Sequence, residues 1–169
     1  MTTPRSKLVL PARCAGVCYP READACLDYF RGFFSQQEGD GLALWEPDAD
    51  AGTDLPAPRV ILTPHIDFRV SGAAYGHAFA PWARRAATAD LYVILGVGHR
   101  ASLPWSLDGR DYATPLGTVP SAAEEILDVV ARCHGLPLGE AAAHVGEHSI
   151  EFPLVLLQAL RRLRGIDRP

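Results

Sequence analysis

Two short aliphatic runs dominate the pattern of hydrophobic and polar positions. They cover residues 60–63 and 91–95, and each is broken by Pro or Gly just before a histidine, His65 or His99. Short runs of β-branched and aliphatic side chains with such borders are typical of buried strands. The Ala-rich sequence between them is long enough for a strand–helix–strand crossover, in which both strands run the same way. We therefore expect both histidines at one rim of a sheet, where ligands of open α/β sheets bind.

Helical spacing of apolar side chains appears in several other segments. It predicts a helix over residues 21–34 and another that begins near Ser71 and spans residues 73–79. Between the first helix and the first aliphatic run, residues 35–58 are acidic and turn-rich, which predicts a surface excursion.

Two further helices have recognisable start signals. Ser121 with Glu124 three residues later forms a capping box, which predicts a helix start at this place. The last helix is predicted to begin with His148 or Ser149 as its N-cap. Its leucines then recur at helical spacing and should face the core.

Strands and helices together predict an α/β fold with a mostly parallel central sheet flanked by helices. Weaker strand candidates lie at residues 7–10 and 113–119. With 169 residues, 48% of them hydrophobic, the chain fits one domain covering residues 1–169. A final helix this apolar should cover a larger sheet than two clear strands provide, so we expect the chain to be truncated at its C-terminus.

Composition excludes several classes of protein. A net charge of −4 does not suit a nucleic-acid-binding face, and no apolar stretch reaches the length of a membrane span. The N-terminus has too few apolar residues for a signal peptide, which predicts a cytoplasmic protein. In that compartment the cysteines, Cys14, Cys18, Cys26 and Cys133, should be reduced thiols.

The strand-end histidines are the strongest candidates for chemistry. Imidazole is the commonest metal-binding side chain, so His65 and His99 are predicted metal ligands, with Asp67 as a candidate third ligand in a two-histidine, one-carboxylate set. His148 at a helix N-terminus should be neutral near pH 7 and able to accept a proton. The plainer alternatives are hydrogen-bonded loop histidines and, for His148, a simple helix cap.

Five short motifs occur in order along the chain. They are AGVCYP (residues 15–20), PHIDFRVSG (64–72), LGVGH (95–99), TPLG (114–117) and EHSIE (147–151). Together they resemble the AGxFYP, PHAGYxYSG, LGPSH, TPLG and EHSxE motifs of the Memo-like family, also called AmmeMemoRadiSam system protein B. The resemblance extends from about residue 11 to residue 160.

The resemblance implies a fold similar to that of the class III extradiol dioxygenases, with a non-haem metal pocket. By this resemblance His65 and His99 would be metal ligands, and His148 would stand at the acid/base position. The family's third ligand is a cysteine in its C-terminal part, for which this chain has no matching position. Asp67 stands where the family has a glycine and offers an alternative ligand. The implied cofactor is a divalent or redox metal ion, iron foremost, with copper and zinc as alternatives.

The resemblance leaves three functions open. The first is a metal-centred protein with redox or dioxygenase-like activity on a small molecule. The second is a non-catalytic module that binds anionic or phospho-aromatic peptides, and the third is a degenerate, inactive family member. The family name also implies a partner protein in a radical-SAM pathway.

Overall fold

The computed structural model describes residues 8–35, 58–79, 82, 89–133 and 142–166, so most of the predicted excursion over residues 35–58 lies outside it. None of the helices in these ranges has both the length and the apolar character needed to cross a bilayer. In chain order the elements are β1 (Val9–Pro11), α1 (Ala23–Ser35), α2 (Phe68–Phe79), β2 (Asp111–Thr114), β3 (Gly117–Val119), α3 (Ala123–Arg132) and α4 (His148–Leu163).

The sheet is small and mixed. Its order is β1-β2-β3, with β1 parallel to β2 and β2 antiparallel to β3. Tyr112 in β2 lies opposite Leu10 on one side and Val119 on the other. Gly117 opens β3 with a φ of 106°, a conformation that glycine adopts without steric cost. The α/β class is confirmed, whereas the sheet in this part of the chain is smaller and less parallel than expected.

The two aliphatic runs belong to neither the helices nor the strands of the described residues, so their predicted assignment as strands is wrong. Their side chains alternate between packed and open positions. Ile61 and Tyr92 pack against the main core, whereas Leu62 and Val93 are 95% and 76% exposed. A buried strand needs contacts on both faces, and the described residues cover only one face of each run. The runs therefore form an open apolar surface.

Helix α4 is the centre of the core. Its Val155, Leu156 and Leu160 are fully buried. Helices α1 and α2 pack against it through aromatic side chains. The ring of Phe68 lies 5.0 Å from that of Phe30 in α1 and 4.6 Å from that of Phe152 in α4. Such close ring contacts add about 0.5–1.5 kcal/mol per pair beyond the burial of area, which fixes α2 and the segment before it against α4.

A buried carboxylate fastens the N-terminal segment to α4. Glu151 is fully buried and accepts hydrogen bonds from the backbone N of Arg13 at 2.9 Å and of Cys14 at 2.8 Å. It also accepts from the hydroxyls of Tyr19 at 2.6 Å and Tyr112 at 3.3 Å. Because all four donors converge on one side chain, Glu151 joins the N-terminal segment, β2 and α4.

Two predicted helix starts need correction. The capping box at Ser121 is wrong, because α3 has Ala122 as its N-cap with no side-chain cap, while the backbone N of Ser121 donates to Asp111. Helix α2 begins at Phe68, earlier than predicted, and is kinked at Ser71, where φ is −132°; the helix predicted over residues 73–79 is its part after the kink. The earlier start follows from Asp67, whose Oδ1 accepts from the backbone N of Arg69 at 2.9 Å and caps the helix.

Candidate metal centre

Three histidines from separate segments converge at the start of α4. His65 precedes α2, His99 follows the second aliphatic run, and His148 is the first residue of α4. Each offers a ring nitrogen, and these atoms all lie within 4.8 Å of one another. The ring centroids are 5.2 Å apart for His65 and His99, 5.7 Å for His65 and His148, and 4.7 Å for His99 and His148. The predicted convergence of His65 and His99 is confirmed, and the three rings together could hold a metal ion.

A close contact between the segment at residues 96–97 and the first turn of α4 places His99 in the cluster. The Oγ of Ser149, in the first turn of α4, accepts from the backbone N of Val97 at 2.8 Å. A Cβ on Gly96 would lie only 2.6 Å from Ser149 Oγ and 2.6 Å from Ile150 Cδ1. Glycine at this position therefore lets the segment lie directly on α4, which sets His99 beside His148.

Substitution of Gly96 by alanine is expected to loosen this contact. The added methyl group overlaps Ser149 and Ile150, so we expect a loss of about 1–3 kcal/mol in the free energy of unfolding. Urea unfolding measures it. Gly109→Ala is the matched control, because its Cβ would meet only Ala123 at an ordinary 3.9 Å. A Gly96→Ala variant as stable as this control would contradict the proposed close approach.

Glu147 organises the start of α4 and contacts His99. It is the N-cap residue, and its Oε1 accepts from the backbone N of Ser149 at 3.0 Å, so the predicted cap at His148 or Ser149 is wrong. The same oxygen lies 2.9 Å from His99 Nδ1, and Oε2 accepts from the backbone N of His99 at 3.2 Å. Burial alone would raise the pKa of Glu147, but the hydrogen bonds from His99 and Ser149 outweigh it and lower that pKa. Glu147 is therefore an ionised carboxylate with only 7% of its surface exposed.

His148 has a lowered pKa, in the predicted direction. Burial is the largest cause, and the neighbouring His99 and His65 lower the pKa further, while the charge of Glu147 opposes them. The main cause is thus desolvation of the imidazolium rather than the helix dipole on which the prediction relied. The ring packs on Phe152 at 5.5 Å, which contributes to this burial.

Asp67 lies outside the cluster of three histidines. Its carboxylate accepts from Arg69 Nε at 2.9 Å and from Arg69 Nη2 at 2.7 Å, in addition to capping α2. The hydrogen bonds from Arg69 are the largest cause that lowers the pKa of Asp67. The structure thus gives this carboxylate a helix-capping and ion-pairing role, and its role as a metal ligand stays a prediction.

The other described histidines lie outside the cluster. His77 is exposed at the end of α2, His144 contacts Ser106 at 2.6 Å, and His134 is outside the described residues. All four cysteines are free thiols. Burial, followed by the charge of Glu151, raises the pKa of Cys14 to about 12. Such a thiol stays protonated, which makes it a poor metal ligand.

Sequence reasoning missed Glu147. The signal was present, because a glutamate directly before the His-Ser pair of EHSIE can reach the first amides of the helix and a neighbouring imidazole. Glutamate is not a preferred N-cap residue, so the sequence favours His148 or Ser149 instead.

Comparison with known proteins places these features in a family. The family model described as Memo-like protein matches residues 11–166. A MEMO1 family protein of Methanobrevibacter smithii is 28% identical over 146 residues, which cover 85% of this chain and 50% of the relative. A MEMO1 family protein of Methanopyrus kandleri is 30% identical over 148 residues, 85% of this chain and 49% of the relative. A third, from Methanocaldococcus jannaschii, is 29% identical over 162 residues, 94% of this chain and 53% of the relative. The chain thus spans about half the length of these relatives, and no solved structure matches it significantly.

Proposed function

The chain belongs to the Memo-like protein family, and we propose that it is a non-haem metal protein in which His65 and His99 hold the ion. The observation that carries the proposal is the convergence of three imidazoles from separate segments within 4.8 Å. Imidazole nitrogen suits iron, copper and zinc, and iron is the foremost choice for redox or dioxygenase-like chemistry.

The residues present fit such an ion. The contact between His99 Nδ1 and the Glu147 carboxylate leaves Nε2 of His99 free to bind a metal, as in the carboxylate–histidine pairs that commonly support metal sites. The rings of His65 and His99 are inclined at 53° to each other. Because the lone pair of an imidazole nitrogen lies in the ring plane, two inclined rings can direct theirs to one point.

His148 suits a different task. Its ring is stacked on that of His99, with only 20° between the planes. In-plane lone pairs of two stacked rings run side by side, so His148 is less well oriented than His65 to share an ion with His99. We assign His148 to proton exchange with the hydroxyl of a bound small molecule such as a catechol.

A bound redox metal would supply Lewis acidity and electron transfer. The chain's own side chains hold the site in place: Glu147 anchors His99, and Phe152 packs beneath His148. A partner protein in a radical-SAM pathway remains a proposal that rests on the family name alone.

Replacement of His148 by alanine tests this division of roles. We expect the affinity for Fe²⁺ to fall by no more than about 100-fold, because changes outside the ligand set of a metal site typically cost 10–100-fold. Oxygen uptake with a catechol should fall by about 10²–10⁴-fold, the usual contribution of a general acid or base. Calorimetric titration and an oxygen electrode measure the two quantities.

Two results would contradict the proposal. If His148→Ala weakens metal binding as strongly as the loss of His99, His148 is a ligand and not a proton acceptor. If the purified wild-type chain binds neither iron, copper nor zinc in stoichiometric amount, the metal function itself is wrong.

A further inference from the structure

We propose that Glu147 is a positioning residue, which holds His99 as the Nδ1–H tautomer and directs its Nε2 into the three-histidine cluster. This inference rests on the proposed metal site. It goes further, because it proposes that Glu147, which lies outside the cluster, determines which ring nitrogen of His99 can bind a metal.

The contacts of Glu147 support this assignment. Its Oε1 lies 2.9 Å from His99 Nδ1, and its Oε2 accepts from the backbone N of the same residue at 3.2 Å. A carboxylate that accepts at both points binds the ring and the backbone of His99 together. Both oxygens of Glu147 already accept from backbone N–H groups, those of Ser149 and His99, so the carboxylate meets Nδ1 as an acceptor. Nδ1 must then carry the proton, and Nε2 keeps its lone pair.

The same carboxylate also fixes His148. Oε1 accepts from the backbone N of Ser149 at 3.0 Å and from its hydroxyl at 2.8 Å, which sets the first turn of α4. His148 is the first residue of that turn and stacks on the ring of His99 at 4.7 Å. Glu147 thus couples the helix that carries one histidine to the segment that carries another.

A variant that keeps the N-cap but shortens the side chain separates the capping of α4 from the contact with His99 Nδ1. Asparagine is among the best N-cap residues, so Glu147→Asn should still accept from Ser149 and keep the unfolding midpoint close to wild type. It is one carbon shorter and uncharged, so its contact with His99 Nδ1 should be lost. Glu125→Asn on the exposed face of α3 is the matched control.

The first readout needs no metal. Ring ¹⁵N shifts of histidine-labelled protein at about pH 8, where an ordinary imidazole is neutral, report the tautomer directly. We expect Nδ1–H for His99 in the wild type and in the control, and a shift towards Nε2–H in Glu147→Asn. Wild-type His99 in the Nε2–H form, or an unchanged tautomer in Glu147→Asn, would overturn the inference.

The second readout is metal affinity. Loss of an outer-shell partner should weaken Fe²⁺ or Zn²⁺ binding by about 10–100-fold in Glu147→Asn. An affinity equal to that of the control would also overturn the inference. If the wild type binds no metal while the tautomer changes as expected, the positioning role stands and the metal function fails. If Glu147→Asn does not fold, Glu147→Ser keeps an N-cap oxygen but is too short to reach His99, and the same shift and loss of affinity are required of it.

Discussion

Replacement of either His65 or His99 by alanine is expected to weaken metal binding by more than about 100-fold. Changes in the outer shell of a metal site cost 10–100-fold, and removal of a ligand should cost more than removal of its support. A 100-fold loss corresponds to about 2.7 kcal/mol of binding free energy. The fold should persist, because the His99 side chain is 38% exposed and His65 lies in a segment that is only partly packed.

Calorimetric titration with Fe²⁺ and Zn²⁺ checks this expectation. His77→Ala is the control, because His77 is exposed at the end of α2 and lies outside the cluster. Circular dichroism shows whether each variant keeps its helices. Unchanged affinity in both single variants would exclude His65 and His99 as the ligands.

The second large effect is on stability. We expect Glu151→Ala to lower the free energy of unfolding by about 3–5 kcal/mol, since it leaves buried donors without an acceptor and opens a cavity. Arg13, Cys14 and Tyr19 would all lose the same partner. For a domain with an ordinary stability of about 5–15 kcal/mol, this is a large fraction of the total.

Urea unfolding followed by tryptophan fluorescence measures this effect. Glu151→Gln keeps the length of the side chain but replaces one acceptor oxygen by an amide donor that would face existing donors, so we expect an intermediate loss. Glu125→Ala on the exposed face of α3 should change stability by no more than about 0.5 kcal/mol. If Glu151→Ala behaves like Glu125→Ala, the buried carboxylate does not hold the N-terminal segment.

The convergence of His65 and His99 was predictable because it depends on where each aliphatic run ends and on how closely the histidine follows. Pro or Gly ends each aliphatic run just before His65 and His99, so the two side chains follow the runs at the same end. The motif EHSIE likewise placed His148 at a helix start, which the structure confirms. Each of these signals involves only a few neighbouring residues. The predicted positions of the histidines are therefore correct even though the runs are not strands of the sheet.

What the sequence did not reveal depends on contacts between distant residues. An aliphatic run shows that its side chains are apolar, but not what covers them, and Leu62 proves to be 95% exposed. The partners of Glu151 could not be found by any periodicity, because Arg13 is 138 residues away.

That separation has a consequence for the order in which the molecule is made. During translation the segment that contains Arg13 and Cys14 emerges early, whereas the acceptor in α4 emerges 138 residues after Arg13. At roughly 5–20 residues per second, the segment waits about 7–28 s for its acceptor. During that interval the backbone donors of Arg13 and Cys14 and the hydroxyl of Tyr19 lack this acceptor. A segment that is synthesised well before α4 thus reaches its final place only after α4 has been made.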